Sequence, residues 1–138
     1  MLAQTAMKPS ANVRALNYQN KSIVERLATE GGMSFEEAET LFRDTLKFLS
    51  LTGSGVKLSP TEKIDLGWHN FILHTKEYTN FCEDCFGQFI HHEPGSGLNP
   101  SGPRLDVHQT RDLAASIFGN LSQNWEPGRG ETCGSNGC

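Results

Sequence analysis

Histidine and aspartate side chains in the second half of the chain are the residues best suited to chemistry. Asp65 and His69 are four positions apart in a segment with helical periodicity, so they would share one helix face. The pair His91-His92 begins 22 positions after His69, beyond a second predicted helix. The link around His74 between these helices is very short, which predicts a hairpin. The histidine pair could then return to the face that carries Asp65 and His69.

This arrangement predicts a divalent metal site, with zinc or iron as the ion. Imidazole is the commonest protein metal ligand, and a carboxylate is its natural companion. The ligands would be His69 with His91 or His92, and Asp65 would be a further ligand or would hold a liganding histidine by its second nitrogen. Two other interpretations stay open. One is a buried polar network in which Asp65 bonds His69 and the histidine pair caps a helix, and the other is a metal-free general base.

Two other histidines are not expected to take part in this site. His74 lies five residues after His69, about 140° around the helix, so it points away from Asp65. His108 lies near the start of the last predicted helix, beside Asp106 and Asp112, where a solvated surface position is expected.

The four cysteines form two spaced pairs. Cys82 and Cys85 make a C-x-x-C late in a helix and between acidic residues, whereas reactive pairs of this type lie at a helix N-terminus. Both fall on the apolar face, which favours buried thiols. Cys133 and Cys138 close a glycine-containing tail that could bind a soft metal or form a disulfide. All four together could also hold zinc, or the tail could be the substrate of a modifying enzyme.

The elements that would position these residues are helices. A capping box, Ser34 with Glu37, opens the best-marked helix, and Ser59 with Pro60 is predicted to open the next one. Thr75 looks like the N-cap of the following helix. The predicted helices span 20–30, 35–50, 60–72, 76–86 and 105–121.

These elements predict an all-α fold, a single small bundle of about five helices in a chain of 138 residues. Residues 1–18 are expected to be a flexible arm, 19–122 the helical domain, and 123–138 a flexible tail that contains cysteines.

Charge limits the classes of partner. Residues 1–60 carry seven Lys/Arg and six Asp/Glu, whereas residues 61–138 carry five and ten. The half with the histidines is therefore acidic, which argues against a nucleic-acid partner because phosphates require basic surfaces. No apolar run is long enough to span a bilayer and no secretory signal is evident, so a cytoplasmic location is expected. A protein partner stays open.

About thirty residues also carry a family resemblance. The pattern D-x-x-W-H-x-x-I-L-x-T-x-x-Y-x-x-F-C, from Asp65, followed by F-G-x-F-x-H-H-x-P, ending at Pro94, resembles small bacterial proteins described as glycine-rich-domain-containing-protein-like. Larger relatives read W-H-x-H, and Phe71 replaces their second histidine here, so a role for that histidine does not carry over. The resemblance implies one helical domain and no particular activity, and it draws attention to Trp68 and Tyr78 beside the histidines.

A small metal-binding protein is the first functional expectation. The alternative is a protein-interaction or regulatory module, or a carrier whose tail with Cys133 and Cys138 is modified.

Overall fold

Helices are the only regular elements in residues 12–93 and 103–128, the part of the chain that the computed structural model describes. The predicted all-α class is therefore confirmed. The helices are α1 (Val13–Leu16), α2 (Lys21–Gly31), α3 (Phe35–Thr52), α4 (Glu62–Leu73), α5 (Thr75–Phe86) and α6 (Val107–Phe118), and a short 3-10 helix follows at Gln123–Trp125.

Capping boxes open two of these helices. Ser34 accepts a hydrogen bond from the Glu37 backbone and the Glu37 side chain accepts one from Ser34, as the sequence predicts. Asp106 and Gln109 form the same reciprocal pair at the start of α6. This second box sets the beginning of α6 at Val107, two residues later than expected.

The predicted start of α4 is wrong by two residues. Thr61, not Ser59, is the N-cap, and its hydroxyl accepts a hydrogen bond from the backbone N–H of Ile64 at 3.1 Å. Ser59 is instead held to α6, because its backbone N–H donates to the hydroxyl of Thr110 at 3.1 Å. Pro60 therefore lies before the cap rather than in the first turn.

The hairpin of α4 and α5 has almost no loop. His74 alone separates the two helices, so it ends α4 and precedes Thr75, the first residue of α5. Thr75 is thus inside the helix and is not its cap. The Nδ1 of His74 lies 3.1 Å from the carbonyl oxygen of Asn70, so this ring is engaged locally, away from Asp65.

α3 runs through the centre of the core, and α4 packs against it. Gly67 permits a close approach there, since a Cβ at this position would lie 2.2 Å from the hydroxyl oxygen of Thr45. An aromatic cluster fills the space between the helices. Its members, in ring contact with one another, are Tyr18, Phe42, Phe71, Tyr78 and Phe81.

The packed part of the chain extends past the predicted limits of 19 and 122 at both ends. Ala15 in α1 is buried and Tyr18 joins the aromatic cluster, although both lie in the range expected as an arm. Trp125, in the range expected as a tail, is buried to 1% exposure. Residues 1–11 of the expected arm and 129–138 of the expected tail lie outside the described residues.

Among the helices of the described residues, none combines the length and apolar character that crossing a membrane requires.

Candidate functional site

A carboxylate and an imidazole from distant parts of the chain meet at the start of α4. The Oδ1 of Asp65 lies 2.5 Å from the Nε2 of His92, and 27 positions separate the two residues. Because a carboxylate can only accept, the Nε2 carries the proton and donates it. Asp65 is in the first turn of α4, while His92 is in the irregular segment that follows α5.

Contacts along that segment distinguish His92 from His91. Phe89 and His91 share one side, with ring centroids 4.8 Å apart, and Phe89 also contacts Tyr78 on α5. His92 points to the other side, toward α4. His91 is exposed and does not reach Asp65.

Trp68 forms the floor beneath His92. The two ring centroids are 4.3 Å apart, and the Trp68 ring is itself buried against Phe48 of α3. The His92 side chain keeps 25% of its surface exposed and Asp65 keeps 46%, so the pair borders solvent. The hydrogen bond to Asp65 raises the pKa of His92, although partial burial and the charge of Arg104 oppose that effect.

A buried hydroxyl fixes the segment that carries His92. Tyr78 accepts a hydrogen bond from the Nε1 of Trp68 at 3.0 Å and donates to the carbonyl oxygen of Ile90 at 2.6 Å. Burial raises the pKa of Tyr78, so the hydroxyl stays protonated and able to donate. The family pattern drew attention to Trp68 and Tyr78, but the sequence did not predict that they join each other.

Charged side chains hold the residue after His92. Glu93 pairs with Arg104 at 3.2 Å and with Lys57 at 3.8 Å. Arg104 also donates to the carbonyl oxygen of Leu58 at 2.9 Å. The end of the segment is therefore tied to the residues that precede α4.

His69 lies one helical turn beyond Asp65 and is exposed. Within the described ranges it has no hydrogen bond, ion pair or ring contact, so the Asp65–His69 bond of the buried-network alternative is not formed. Gly87, with φ 73°, ends α5, so neither histidine of the pair caps that helix. Among residues 12–93 and 103–128, no three His, Cys, Asp or Glu side chains stand in an arrangement that could hold a metal ion.

The helical cysteine pair belongs to the core side of the hairpin. Cys82 is fully buried and Cys85 is half-buried, and both are free thiols. Burial raises the pKa of each thiol, which favours the unreactive protonated form. The burial of Cys82 agrees with the expectation of buried thiols. Cys133 and Cys138 lie outside the described residues.

The fold and site together define a small helical domain with a solvent-bordering aspartate–histidine pair. A family model described as UCP032817-like matches residues 10–108, and the chain belongs to that family. The match supplies no named function and no link to glycine-rich-domain proteins. No curated protein and no solved structure matches the chain.

Proposed function

We propose that this protein binds a divalent metal ion through Asp65, His69 and His92. The observation that carries the proposal is the contact between Asp65 and His92, which brings a carboxylate and an imidazole together at the border of solvent. Of the two candidate histidines the proposal takes His92, because His92 contacts Asp65 and His91 does not.

In this contact the carboxylate of Asp65 and the Nε2 of His92 share one proton, and each of these two groups can bind a metal ion. A metal ion binds deprotonated ligands, so it would take the place of the proton on the Nε2 of His92. Zinc bonds to histidine nitrogen and carboxylate oxygen are about 2.0–2.2 Å long. At a tetrahedral angle such bonds place the nitrogen and oxygen atoms about 3.4 Å apart, so the two atoms would have to separate by about 1 Å from 2.5 Å to admit the ion. The exposed side of the pair gives the small ring movement room.

His69 supplies the third ligand by rotation of its side chain. Residues four apart on a helix have Cβ atoms about 5–6 Å apart, so the His69 ring can reach an ion at Asp65. Rotation costs little packing, because His69 is exposed and breaks no hydrogen bond by moving.

Three protein ligands, two imidazoles and one carboxylate, suit an ion that keeps an open position for water or a small molecule. Such sets bind catalytic zinc or non-haem iron(II) in proteins. We propose these two ions as the candidates. The acidic second half of the chain would favour a cation over an anionic partner. A cytoplasmic location and kinship with the small bacterial glycine-rich-domain-like proteins are part of the same proposal.

Metal analysis of protein purified without an affinity tag tests the proposal. We expect about one ion per chain, measured by inductively coupled plasma mass spectrometry, with titration calorimetry of Zn²⁺ into the chelator-stripped protein. His92→Gln, Asp65→Asn and His69→Ala should each weaken Zn²⁺ affinity by at least about 10- to 100-fold, the loss that even removing an outer-shell partner produces.

His91→Ala and His108→Ala are the matched controls, because both remove an exposed imidazole that lies outside the proposed set. They should leave Zn²⁺ affinity unchanged. Circular dichroism of each variant checks that the helices persist. Folded wild-type protein that takes up neither Zn²⁺ nor Fe²⁺ at micromolar concentrations would falsify the proposal, and so would a control that matches the His92→Gln loss.

A further inference from the structure

A short segment after α6, residues 122–125, inserts a large side chain into the core. Trp125 ends the 3-10 helix Gln123–Trp125, which packs against α3 and α4, and only 1% of its surface is exposed. The indole N–H of Trp125 is buried and has no hydrogen-bond partner among the described residues. A buried donor without a partner costs free energy, so the packed position of this ring carries a penalty that exposure to water would remove.

A buried carboxylate on α3 holds this segment by its polar groups. Asp44 is 2% exposed and accepts hydrogen bonds from the Ser122 hydroxyl at 2.6 Å and from the Asn124 side chain at 2.9 Å. The Thr61 hydroxyl, at the N-cap of α4, donates to the carbonyl oxygen of Asn124 at 2.6 Å. Hydrogen bonds to a carboxylate are roughly twice as strong as bonds between neutral groups. The polar attachment of the segment therefore depends mainly on Asp44.

The chain on either side of the segment is held less firmly. Gly119 ends α6 with φ 83°, a backbone conformation that glycine adopts readily, and it lies three residues before Ser122. Beyond the segment, Glu126 pairs with Arg111 of α6 at 3.1 Å, and both side chains are partly exposed. Such pairs contribute little to stability. The segment can therefore leave the core by a movement about the residues that follow α6.

We propose that residues 122–125 form a releasable clasp, which opens as a unit while α2 to α5 stay folded. In the closed state, Asp44 and Thr61 hold the clasp, and the Trp125 ring covers the apolar surface between α3 and α4. In the open state, this surface and the Asp44 carboxylate face solvent, and water supplies a partner for the indole N–H. The clasp thereby controls access to one face of the core. This inference is independent of the proposed metal site.

Hydrogen exchange of the two tryptophan side chains in the full-length protein tests the inference, because Trp68 and Trp125 are the only tryptophans of the chain. The indole N–H of Trp125 reports opening of the clasp. That of Trp68, which donates to Tyr78 at 3.0 Å, reports opening of the core. Both signals are followed by nuclear magnetic resonance in deuterated buffer at several low urea concentrations.

We expect Trp125 to exchange at least about 10-fold faster than Trp68, because local opening costs less free energy than global unfolding. Its rate should also depend less on urea, since opening of the clasp exposes less surface. Asp44→Ala removes both hydrogen bonds to the carboxylate and should accelerate Trp125 exchange by about 10- to 100-fold.

Two further variants accompany Asp44→Ala. Ser122→Ala removes one of the two bonds and keeps the carboxylate, so it should accelerate Trp125 exchange less, and it keeps the test informative if Asp44→Ala does not fold. Asp84→Ala is the matched control, because it removes an exposed carboxylate on α5, and it should leave the Trp125 rate unchanged.

Equal exchange rates with equal urea dependence for Trp68 and Trp125 would show that the segment opens only with the whole fold, and would overturn the inference. It would also be overturned if Asp44→Ala and Ser122→Ala accelerated Trp125 exchange no more than Asp84→Ala does. Failure of the protein to bind Zn²⁺ would remove the proposed function and leave the clasp unaffected.

Discussion

The two faces of α4 differ in how completely their side chains are partnered. On the inner face, Ile64 and Phe71 are fully buried, and the indole N–H of Trp68 donates a hydrogen bond to the Tyr78 hydroxyl. On the outer face, Asp65 meets His92, while His69 is exposed and makes no hydrogen bond, ion pair or ring contact with the described residues. The inner face of α4 is therefore packed in the core with its polar hydrogen satisfied, whereas the outer face carries polar side chains of which one, His69, has no hydrogen-bond partner among the described residues.

The difference between the two faces suggests that the inner face positions the polar side chains and the outer face carries the groups available for binding. Trp68 connects the two faces, because its ring contacts the Phe48 ring in the core and the His92 ring on the outer side. Packing on the inner face fixes the positions of Asp65 and His69 on α4, and their partly or fully exposed side chains stay accessible to a ligand. Substitutions on the inner face should therefore reduce stability strongly, while substitutions on the outer face should change binding with little loss of stability.

The largest expected effect is that of Phe71→Ala. Phe71 is fully buried and contacts four other aromatic rings, so its removal leaves a cavity in the middle of the core. Large-to-small changes of this kind cost about 3–5 kcal/mol. Chemical denaturation followed by circular dichroism measures the loss. Leu73→Ala, two positions away and 49% exposed, is the control and should stay within about 0.5 kcal/mol of the wild type. Equal losses would contradict the distinction between the faces.

A smaller loss is expected for Tyr78→Phe. Removal of the hydroxyl leaves the Trp68 Nε1 and the Ile90 carbonyl oxygen without their partner. An unsatisfied buried polar group costs about 1–3 kcal/mol, and the segment that carries His92 also loses its hydrogen bond to the Tyr78 hydroxyl. Denaturation gives the stability, and Zn²⁺ calorimetry reports the effect on the proposed site.

Tyr18→Phe is the matched control for that change. Tyr18 is the other tyrosine of the chain, and its hydroxyl accepts one hydrogen bond, from Asn20 at 3.2 Å, in a partly exposed setting. Its loss should cost less than about 1 kcal/mol and leave Zn²⁺ affinity unchanged. If both phenylalanine variants behave alike, the Tyr78 hydroxyl does not position the segment.

Local signals explain how much of the fold was predictable. Ser34 and Glu37 lie three positions apart, so their capping box is visible in the sequence and is confirmed. The same kind of signal at Asp106 and Gln109 marks the start of α6 more accurately than the apolar spacing, which places it at Leu105. The α4 cap was misplaced because Ser59 is engaged by Thr110, and that tertiary contact joins residues 51 positions apart.

The site was only partly predictable for the same reason. The short link at His74 predicts the hairpin of α4 and α5, after which His92 returns to Asp65. Helical spacing cannot choose between His91 and His92, because that choice depends on the irregular backbone after Gly87. Tyr78 holds this backbone through the carbonyl of Ile90, a contact that side-chain patterns do not encode.

The smallest expected effect is the pH dependence that His92 adds to stability in metal-free protein. Its pKa is raised above the ordinary 6.5 by Asp65, so the folded state holds the proton more tightly than the unfolded state does. The resulting stabilisation is complete below pH 6.5 and is lost as the pH rises through the folded-state pKa. His92→Gln should lose this component, while His91→Gln should retain it.

The size of that component is limited by solvent. Asp65 is nearly half exposed, and exposed ion pairs contribute about 0.2–1 kcal/mol, so the difference between the two variants should stay below about 1 kcal/mol. Urea denaturation in the presence of a chelator, compared at acidic and alkaline pH, measures it. If the free energy of unfolding depends on pH in the same way in His92→Gln and His91→Gln, the charge interaction between Asp65 and His92 does not stabilise the fold. A difference of several kcal/mol would mean that Asp65 and His92 behave as part of the core, and the distinction between the two faces of α4 would fail at that point.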